Sequence, residues 1–239
     1  MIKQITDISL LRLSDSYYGG KIAAYAEAYG LNYDFCRFYR LKNGTLMINN
    51  SNCVIDGRPP VNEELRFFIK MNGISAVESP LDIRIGGYSR HMRTVFEIKP
   101  CGGNINGNDI RRNSGFEEIY SVLNGSFGDI PHDLWYSDIS HRVRHGVSET
   151  FLYRKTAAVL DFVHCGYGWL SNIATLPEYR NCGSCRKLLT YIAENLSERN
   201  IIGRLMAYDD KVPFYSRLGF EPVGKDIYLT LNEMENNNG

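Results

Sequence analysis

The sequence lacks a long apolar run. No stretch of this 239-residue chain approaches the about 20 apolar residues that a membrane-spanning helix needs. The opening stretch MIKQITDISLLRLSDS has a short apolar part that carries an arginine, and no small-residue cleavage site follows it. It therefore does not resemble a signal peptide. We expect a cytoplasmic protein with no membrane partner.

The sequence also lacks an excess of charge of either sign, since 27 Lys and Arg residues balance 27 Asp and Glu residues. A protein that neutralises many phosphates of a nucleic acid carries a positive surplus, so we expect no nucleic-acid partner. Cysteine is too sparse for a disulfide scaffold, with six in the whole chain, and this usage fits a reducing compartment.

Hydrophobic periodicity and turn residues predict a mixed α/β chain. The dipeptide Asn43-Gly44 between two β-type runs predicts a hairpin. The predicted helices are one that ends at Ala23–Gly30, then Glu63–Asn72, Gly115–Leu123, His132–Val143, Arg186–Arg199 and Val212–Leu218. The predicted strands are Phe35–Leu41, Thr45–Val54, Ile74–Glu78, Met92–Ile98, Glu149–Lys155, Ala157–His164, Trp169–Leu176, Arg204–Tyr208 and Tyr228–Leu231, and Gly102–Gly107 is predicted to be a loop.

The pattern starts again near residue 90, which predicts two domains, 1–90 and 91–239. In the first, the strand pair CRFYRLKNGTLMINNSNCVI leads to the helix NEELRFFIKM and the strand ISAVE. In the second, TFLYRKTAAVLDFVH leads to CRKLLTYIAENL and IIGRLMAY. We interpret this as a degenerate internal duplication. The alternative is chance recurrence of a common hairpin-helix-strand arrangement.

The most informative segment is WLSNIATLPEYRNCGSCRKLLTYIAENL, which predicts a strand, a turn and a helix. The free backbone N–H groups and the positive dipole end of a helix start form a site for a phosphate. Gly183 allows the backbone to approach a ligand closely because it has no Cβ, and Arg180 adds a positive charge. Short glycine turns of this kind also occur without any ligand.

Two motifs in this order resemble the GCN5-related N-acetyltransferase (GNAT) superfamily. The matching residues are Thr175, Leu176, Pro177, Glu178, Tyr179, Arg180, Gly183, Cys185, Leu188 and Leu189, then Phe214, Tyr215, Leu218, Gly219 and Phe220. The resemblance covers about the last 115–125 residues well and the first 90 poorly. It implies an α/β (α+β) GNAT fold, in which helices flank a mixed central sheet, preceded here by a degenerate GNAT-like N-terminal half.

The resemblance also implies acetyl-CoA as cosubstrate. Ile173, Ala174 and Thr175 match the strand whose exposed backbone pairs with the pantetheine arm. The loop of Arg180, Asn181, Cys182, Gly183, Ser184 and Cys185 matches the pyrophosphate loop. Cys185 stands where glycine or alanine is usual, and a thiol is small enough to fit.

Tyr215 matches the tyrosine that family members often use as the general acid. A phenol with a pKa of about 10 is a suitable proton donor to a departing thiolate. An asparagine and an alanine often precede this tyrosine in the family, whereas the chain has Tyr208 and Lys211 at these positions. The contact usually made by that asparagine is therefore not expected here.

The general base is not indicated by the sequence. The position at which many members carry a glutamate is about Trp169, which cannot accept a proton. Asp161, His164 and Tyr167 are the nearby candidates, and a chain of water molecules is another route.

The resemblance predicts an N-acetyltransferase that acetylates a primary amine of a small molecule or peptide by direct attack in a ternary complex, with no metal. It predicts no particular oligomeric state. The alternatives within the fold are an acyl-CoA-binding protein without catalysis and an aminoacyl transferase. Two further alternatives use the cysteines: a redox pair of Cys182 and Cys185, and a zinc site of these two with His164 and Cys165.

Overall fold

A computed structural model describes residues 1–59, 62–100 and 107–232. In chain order the strands and helices are β1 (Lys3–Gln4), α1 (Tyr17–Tyr29), β2 (Cys36–Leu41), β3 (Asn43–Asn49), β4 (Asn52–Arg58), α2 (Asn62–Met71), β5 (Ala76–Ser79), β6 (Tyr88–Glu97), β7 (Ile110–Arg112), α3 (Phe116–Phe127), α4 (His132–Arg144), β8 (Glu149–Tyr153), β9 (Thr156–His164), β10 (Tyr167–Thr175), α5 (Ser184–Glu198), β11 (Ile202–Tyr208), α6 (Val212–Arg217) and β12 (Glu221–Leu231). Apart from Gly107, the predicted loop at 102–107 lies outside the described residues.

The chain divides into two units. The first unit is residues 1–93 together with the chain from Lys225 onward, and the second is Thr94–Gly224. The sequence pattern predicted the division at residue 90 and assigned the whole C-terminal end to the second domain. The end of β12 lies instead in the first unit, because residues 227–230 pair antiparallel with β5.

The first unit contains a mixed sheet with the strand order β1-β2-β3-β4-β5-β12. Strands β4 and β5 are parallel, whereas the other neighbours pair antiparallel. Helix α2 buries Leu65 and Ile69 against apolar side chains of the sheet. Ser16 caps the start of α1 by accepting a hydrogen bond from the N–H of Gly19, and Gly30 ends the helix with a positive φ.

One predicted strand of this unit is wrong. The run Thr45–Val54 is two strands, because β3 ends at Asn49 and β4 begins at Asn52. Asn50 has a φ of 51°, in the left-handed region that asparagine tolerates better than most residues. Since apolar residues lie on both sides of this tight turn, the pattern looked continuous.

The second unit has the strand order β6-β11-β10-β9-β8-β7. Helix α5 buries Leu188, Leu189, Ile192 and Leu196 in the larger of the two apolar cores that we describe among the residues of this unit seen in the structure. Helix α3 contributes Ile119, Val122 and Leu123 to the other core, which also contains Ala174 of β10. Helices therefore cover both faces of the mixed sheet, and the predicted α/β class is confirmed.

The two units share an order of elements. In each, an antiparallel hairpin (β3 and β4, or β9 and β10) leads to a helix and then to a strand parallel to the second hairpin strand. Within the described residues, no helix combines the length and the apolar character needed to cross a membrane.

Candidate functional site

A cleft opens between the parallel strands β10 and β11. Their ladder runs from Tyr167↔Ile202 to Leu170↔Leu205, and β10 then continues to Thr175. The pairing of β10 with β9 is irregular between Ser171 and Ala174, where Asn172 has a φ of 49°. A bulge of this kind bends the strand and increases its twist. It therefore directs β10 away from β11.

The predicted pantetheine-binding residues lie on this diverging end of β10. The side chain of Ile173 packs against the core beneath α5, and Ala174 packs in the core beneath α3. Ala174 and Thr175 pair with β9 on one side only. The Thr175 carbonyl accepts hydrogen bonds from Ser126 Oγ at 3.2 Å and from Arg180 Nε at 3.1 Å. The two bonds fix the end of the strand against α3 and the loop.

The predicted phosphate loop follows directly. After a short 3-10 helix at Pro177–Tyr179, Gly183 is the N-cap of α5 with a φ of 74°, and no side chain caps the helix. A Cβ built at Gly183 would meet no atom within 4 Å, so the space above it is open. The helix begins at Ser184, two residues before its predicted start. The N–H groups of its first turn have no intrahelical acceptor.

Tyr215 lies on α6 and is buried in the core of the second unit. Its ring packs against Phe96, Phe214 and Phe220, with centroid distances of 5.8, 5.1 and 6.2 Å. Burial raises the pKa of Tyr215, and the negative charge of an ionised Cys185 would raise it further. The phenol therefore keeps its proton well above neutral pH. Cys185 in turn belongs to the first turn of α5, so Tyr215 and the phosphate loop meet at one site.

The two cysteine-based alternatives do not fit this geometry. Burial raises the pKa of Cys185 to about 12, whereas a redox-active thiol at a helix start needs a lowered pKa. Cys165 precedes β10 and Cys182 follows it, so about 30 Å of extended strand separates them. The zinc interpretation is therefore wrong.

Asp161 is bound by Arg142 and is therefore not available as the general base. Its side chain and carbonyl contact Arg142 Nη1 at 3.4 and 3.3 Å, and the carbonyl also accepts from Ser148 Oγ at 2.7 Å. Arg142 is buried and bonds Asp138 as well, with 2.8 Å between Nη2 and Oδ2. This group fastens α4 to β9.

A charged pair that the sequence pattern did not indicate lies at the closed end of the cleft, where β10 and β11 are paired. Arg204 lies directly opposite the buried Trp169, and its guanidinium covers the Tyr167 ring at 3.6 Å from the centroid. Glu97 Oε1 accepts from Arg204 Nη2 at 2.6 Å and from Nε at 3.2 Å. Tyr167 is thus a support for Arg204. The two charged residues are far apart in sequence, so no local pattern could have joined them.

Comparisons with known proteins agree with this geometry. Residues 148–222 match a family model described as an acetyltransferase (GNAT) domain. No curated protein matches the sequence.

Solved structures share the fold at low identity. An acetyltransferase from the GNAT family of Colwellia psychrerythraea is 12% identical with a TM-score of 0.58, and the match covers 98% of this chain and 100% of that one. A tandem GNAT protein from the clavulanic acid biosynthesis pathway is 10% identical with a TM-score of 0.57, covering 96% and 97%. A GNAT-family protein of Novosphingobium aromaticivorans is 13% identical with a TM-score of 0.57, covering 81% and 91%. The predicted GNAT fold, with a GNAT-like N-terminal half, is therefore confirmed.

Proposed function

We propose that this chain, which contains a GNAT acetyltransferase domain at residues 148–222, transfers an acetyl group from acetyl-CoA to a primary amine of a small molecule or peptide. One observation carries the proposal. The strand β10 has an open edge at its end, and the loop that follows it leads to helix α5, which starts after Gly183 and whose first N–H groups have no acceptor within the helix. A pantetheine arm can pair with such an edge as an added strand does. Its pyrophosphate then meets the positive end of α5.

The residues present fit acetyl-CoA on two counts. The strand edge at Ile173–Thr175 offers backbone groups to the amides of the arm, apart from the Thr175 carbonyl, which already accepts from Ser126 and Arg180. The space above Gly183 holds no protein atom within 4 Å of a built Cβ, so a phosphate can approach the backbone there. Asn181, Cys182, Ser184 and Cys185 complete the loop, and Arg180 adds positive charge on the strand side.

The reaction needs one proton donor for the leaving thiolate. The lone pair of the neutral amine attacks the thioester carbonyl, and a backbone N–H near Ile173–Thr175 stabilises the oxyanion. As the tetrahedral intermediate collapses, the C–S bond breaks and the sulfur takes the proton of the Tyr215 hydroxyl. The amine nitrogen loses its extra proton to water. The raised pKa of Tyr215 keeps the donor protonated between turnovers.

A second function is an acyl-CoA-binding protein that does not catalyse transfer. The observation in its favour is that Trp169 stands where the family often carries a glutamate, while the nearby Asp161 is held by Arg142. The two functions differ in one measurement, because only the enzyme releases free CoA when an amine is added.

Ligand-induced stabilisation tests the cofactor part of the proposal. We expect acetyl-CoA to raise the melting temperature and equimolar acetate to leave it unchanged. A ligand at 100 times its Kd stabilises the folded state by about 2.7 kcal/mol, which is easily measured. A panel of amines, followed by thiol detection of released CoA, then separates transfer from binding. No shift at millimolar acetyl-CoA would contradict both functions.

A further inference from the structure

Most lysine and arginine side chains of the second unit form ion pairs with carboxylates. Among its described residues, ion pairs engage Lys99, Arg111, Arg112, Arg142, Lys155, Arg199, Arg204 and Lys211. The lysines and arginines that form no ion pair with a described residue are Arg144, Arg154, Arg180, Arg186, Lys187 and Arg217. Four of these six belong to the phosphate loop, to the start of α5 or to the end of α6. The positive charges that are not neutralised by ion pairs are therefore concentrated beside the phosphate loop.

Two of those four, the exposed Arg186 and Arg217, meet at one surface, which we call the basic surface. The exposed Lys187 follows Arg186 in the chain. Arg186 Nη2 donates to the main-chain carbonyl of Arg217 at 3.1 Å. This bond brings the first turn of α5 against the last residue of α6 and fixes the Arg186 guanidinium there. The side chain of Arg217 is not used in the bond, so its donors are available to a ligand.

An anion is the ligand that such a surface selects. Like charges held close together raise the free energy of the fold, and a bound anion removes that cost. Guanidinium groups bind phosphate with two parallel charge-assisted hydrogen bonds, which a water molecule does not replace. The helix start at Gly183–Cys185 is already assigned to the pyrophosphate. The basic surface adjoins this helix start, because Arg186 follows Cys185 in the first turn of α5 and contacts the end of α6.

Coenzyme A carries a third phosphate, a monoester on the 3′ oxygen of its ribose, one sugar away from the pyrophosphate. We infer that the basic surface binds this 3′-phosphate through Arg186 and Arg217, so that the protein distinguishes CoA from donors that lack it. The inference rests on the proposed function, because it assigns a further part of the same cosubstrate.

A comparison of CoA with 3′-dephospho-CoA tests the inference without any acceptor amine. The two compounds share the pantetheine arm and the pyrophosphate and differ only in the phosphate of interest. By isothermal titration we expect the unaltered protein to bind CoA about ten-fold more tightly or better, the worth of one or two hydrogen bonds to a charged group.

Two variants locate the effect. Arg217→Gln and Arg186→Gln should each weaken CoA binding while changing the affinity for 3′-dephospho-CoA by about two-fold at most. Arg144→Gln is the matched control, because Arg144 is also an exposed arginine at the last residue of a helix and has no ion pair with a described residue. We expect its preference for CoA to be unchanged. Melting curves confirm that each variant is folded.

The outcomes separate the inference from the proposed function. Equal affinity of the unaltered protein for the two compounds would overturn the inference and leave acetyl-CoA binding intact. An equal loss of preference in Arg144→Gln would also overturn it, since the effect would then come from overall charge. Failure to bind either compound would refute the proposed function itself.

Discussion

Gly183 is the residue on which the phosphate cradle depends most directly. Its φ of 74° and the open space above it mean that Gly183→Val would both strain the backbone and put a side chain in the place of the pyrophosphate. We expect CoA affinity to fall at least about ten-fold, the worth of one lost charged contact. Isothermal titration measures this directly.

Gly146 provides the matched control for the strain. It has a φ of 72° and equally open surroundings, but it follows the last residues of α4. Gly146→Val should therefore lower the melting temperature to a similar extent and leave CoA affinity unchanged. If the two variants bind CoA equally well, the pyrophosphate lies somewhere other than the start of α5.

Tyr215 is the only side chain to which we assign a chemical step. Tyr215→Phe should keep CoA affinity nearly constant and lower turnover about 10²- to 10⁴-fold, the usual contribution of a positioned acid. Because burial raises the pKa of the phenol, the acid form persists above the pH of about 10 at which a free tyrosine loses its proton. Any decline of the rate that comes from loss of this proton should therefore begin above that pH, and it should be absent from the variant.

Phe214→Leu is the control for packing at the same helix. Phe214 contacts the Tyr215 ring and has no titratable group, so its replacement tests whether a disturbed core alone slows turnover. Steady-state kinetics with any active amine distinguishes the two cases. A rate within a few fold of normal in Tyr215→Phe would show that the tyrosine only packs.

At the scale of the element, the sequence predicted the segments whose signals are local. The strand, turn and helix from Trp169 to Arg199 were predicted within a few residues, because β-type residues, Pro177, Gly183 and a helical apolar period follow one another there. The start of α5 was placed too late, at Arg186. Gly183 ends the turn by its left-handed φ, which the sequence permits but does not require.

Elements that depend on distant partners were predicted less well. The strand β12 was predicted only at Tyr228–Leu231, whereas it begins at Glu221, and its first five residues are exposed. Exposed residues give no apolar alternation, so the pattern contained no strand signal. The Glu97–Arg204 pair was missed for a related reason: it joins β6 to β11 across about a hundred residues, and periodicity describes one segment at a time.

At the scale of the whole molecule, the repeated order of elements was visible in the sequence because each hairpin, helix and strand carries its own local pattern. The residues that would bind a phosphate are not repeated in the first unit. In the second unit the diverging strand leads to Gly183 and a helix with free N–H groups. In the first unit β4 ends at Arg58 and is followed by Pro59 and Pro60, which have no N–H to offer to a phosphate. Helix α2 then begins with Glu63 and Glu64 in its first turn, and their negative charges disfavour a phosphate there.

The first unit also has an acidic side chain near the corresponding end of β4. Strands β4 and β5 are paired up to Val54↔Glu78, and the next buried residue of β4 on that face is Asp56. Its carboxylate accepts hydrogen bonds from the N–H and Oγ of Ser14, at 2.7 and 2.6 Å, and from Ser16 Oγ at 3.2 Å. An open pocket of about 480 Å³ remains beside this group, and Asp56 is among the residues that line it.

We therefore expect one acetyl-CoA per chain, held by the second unit. Isothermal titration of the unaltered protein should give a stoichiometry of one. Gly183→Val should leave no site of comparable affinity, because Pro59 and Pro60 remove two N–H groups before α2 and the first turn of α2 carries the acidic Glu63 and Glu64. Asp56→Asn removes the negative charge while keeping the hydrogen-bonding shape, and it should still give a stoichiometry of one, since the prolines remain. A stoichiometry of two in the unaltered protein, or a residual tight site in Gly183→Val, would show that the first unit binds the cosubstrate despite its prolines.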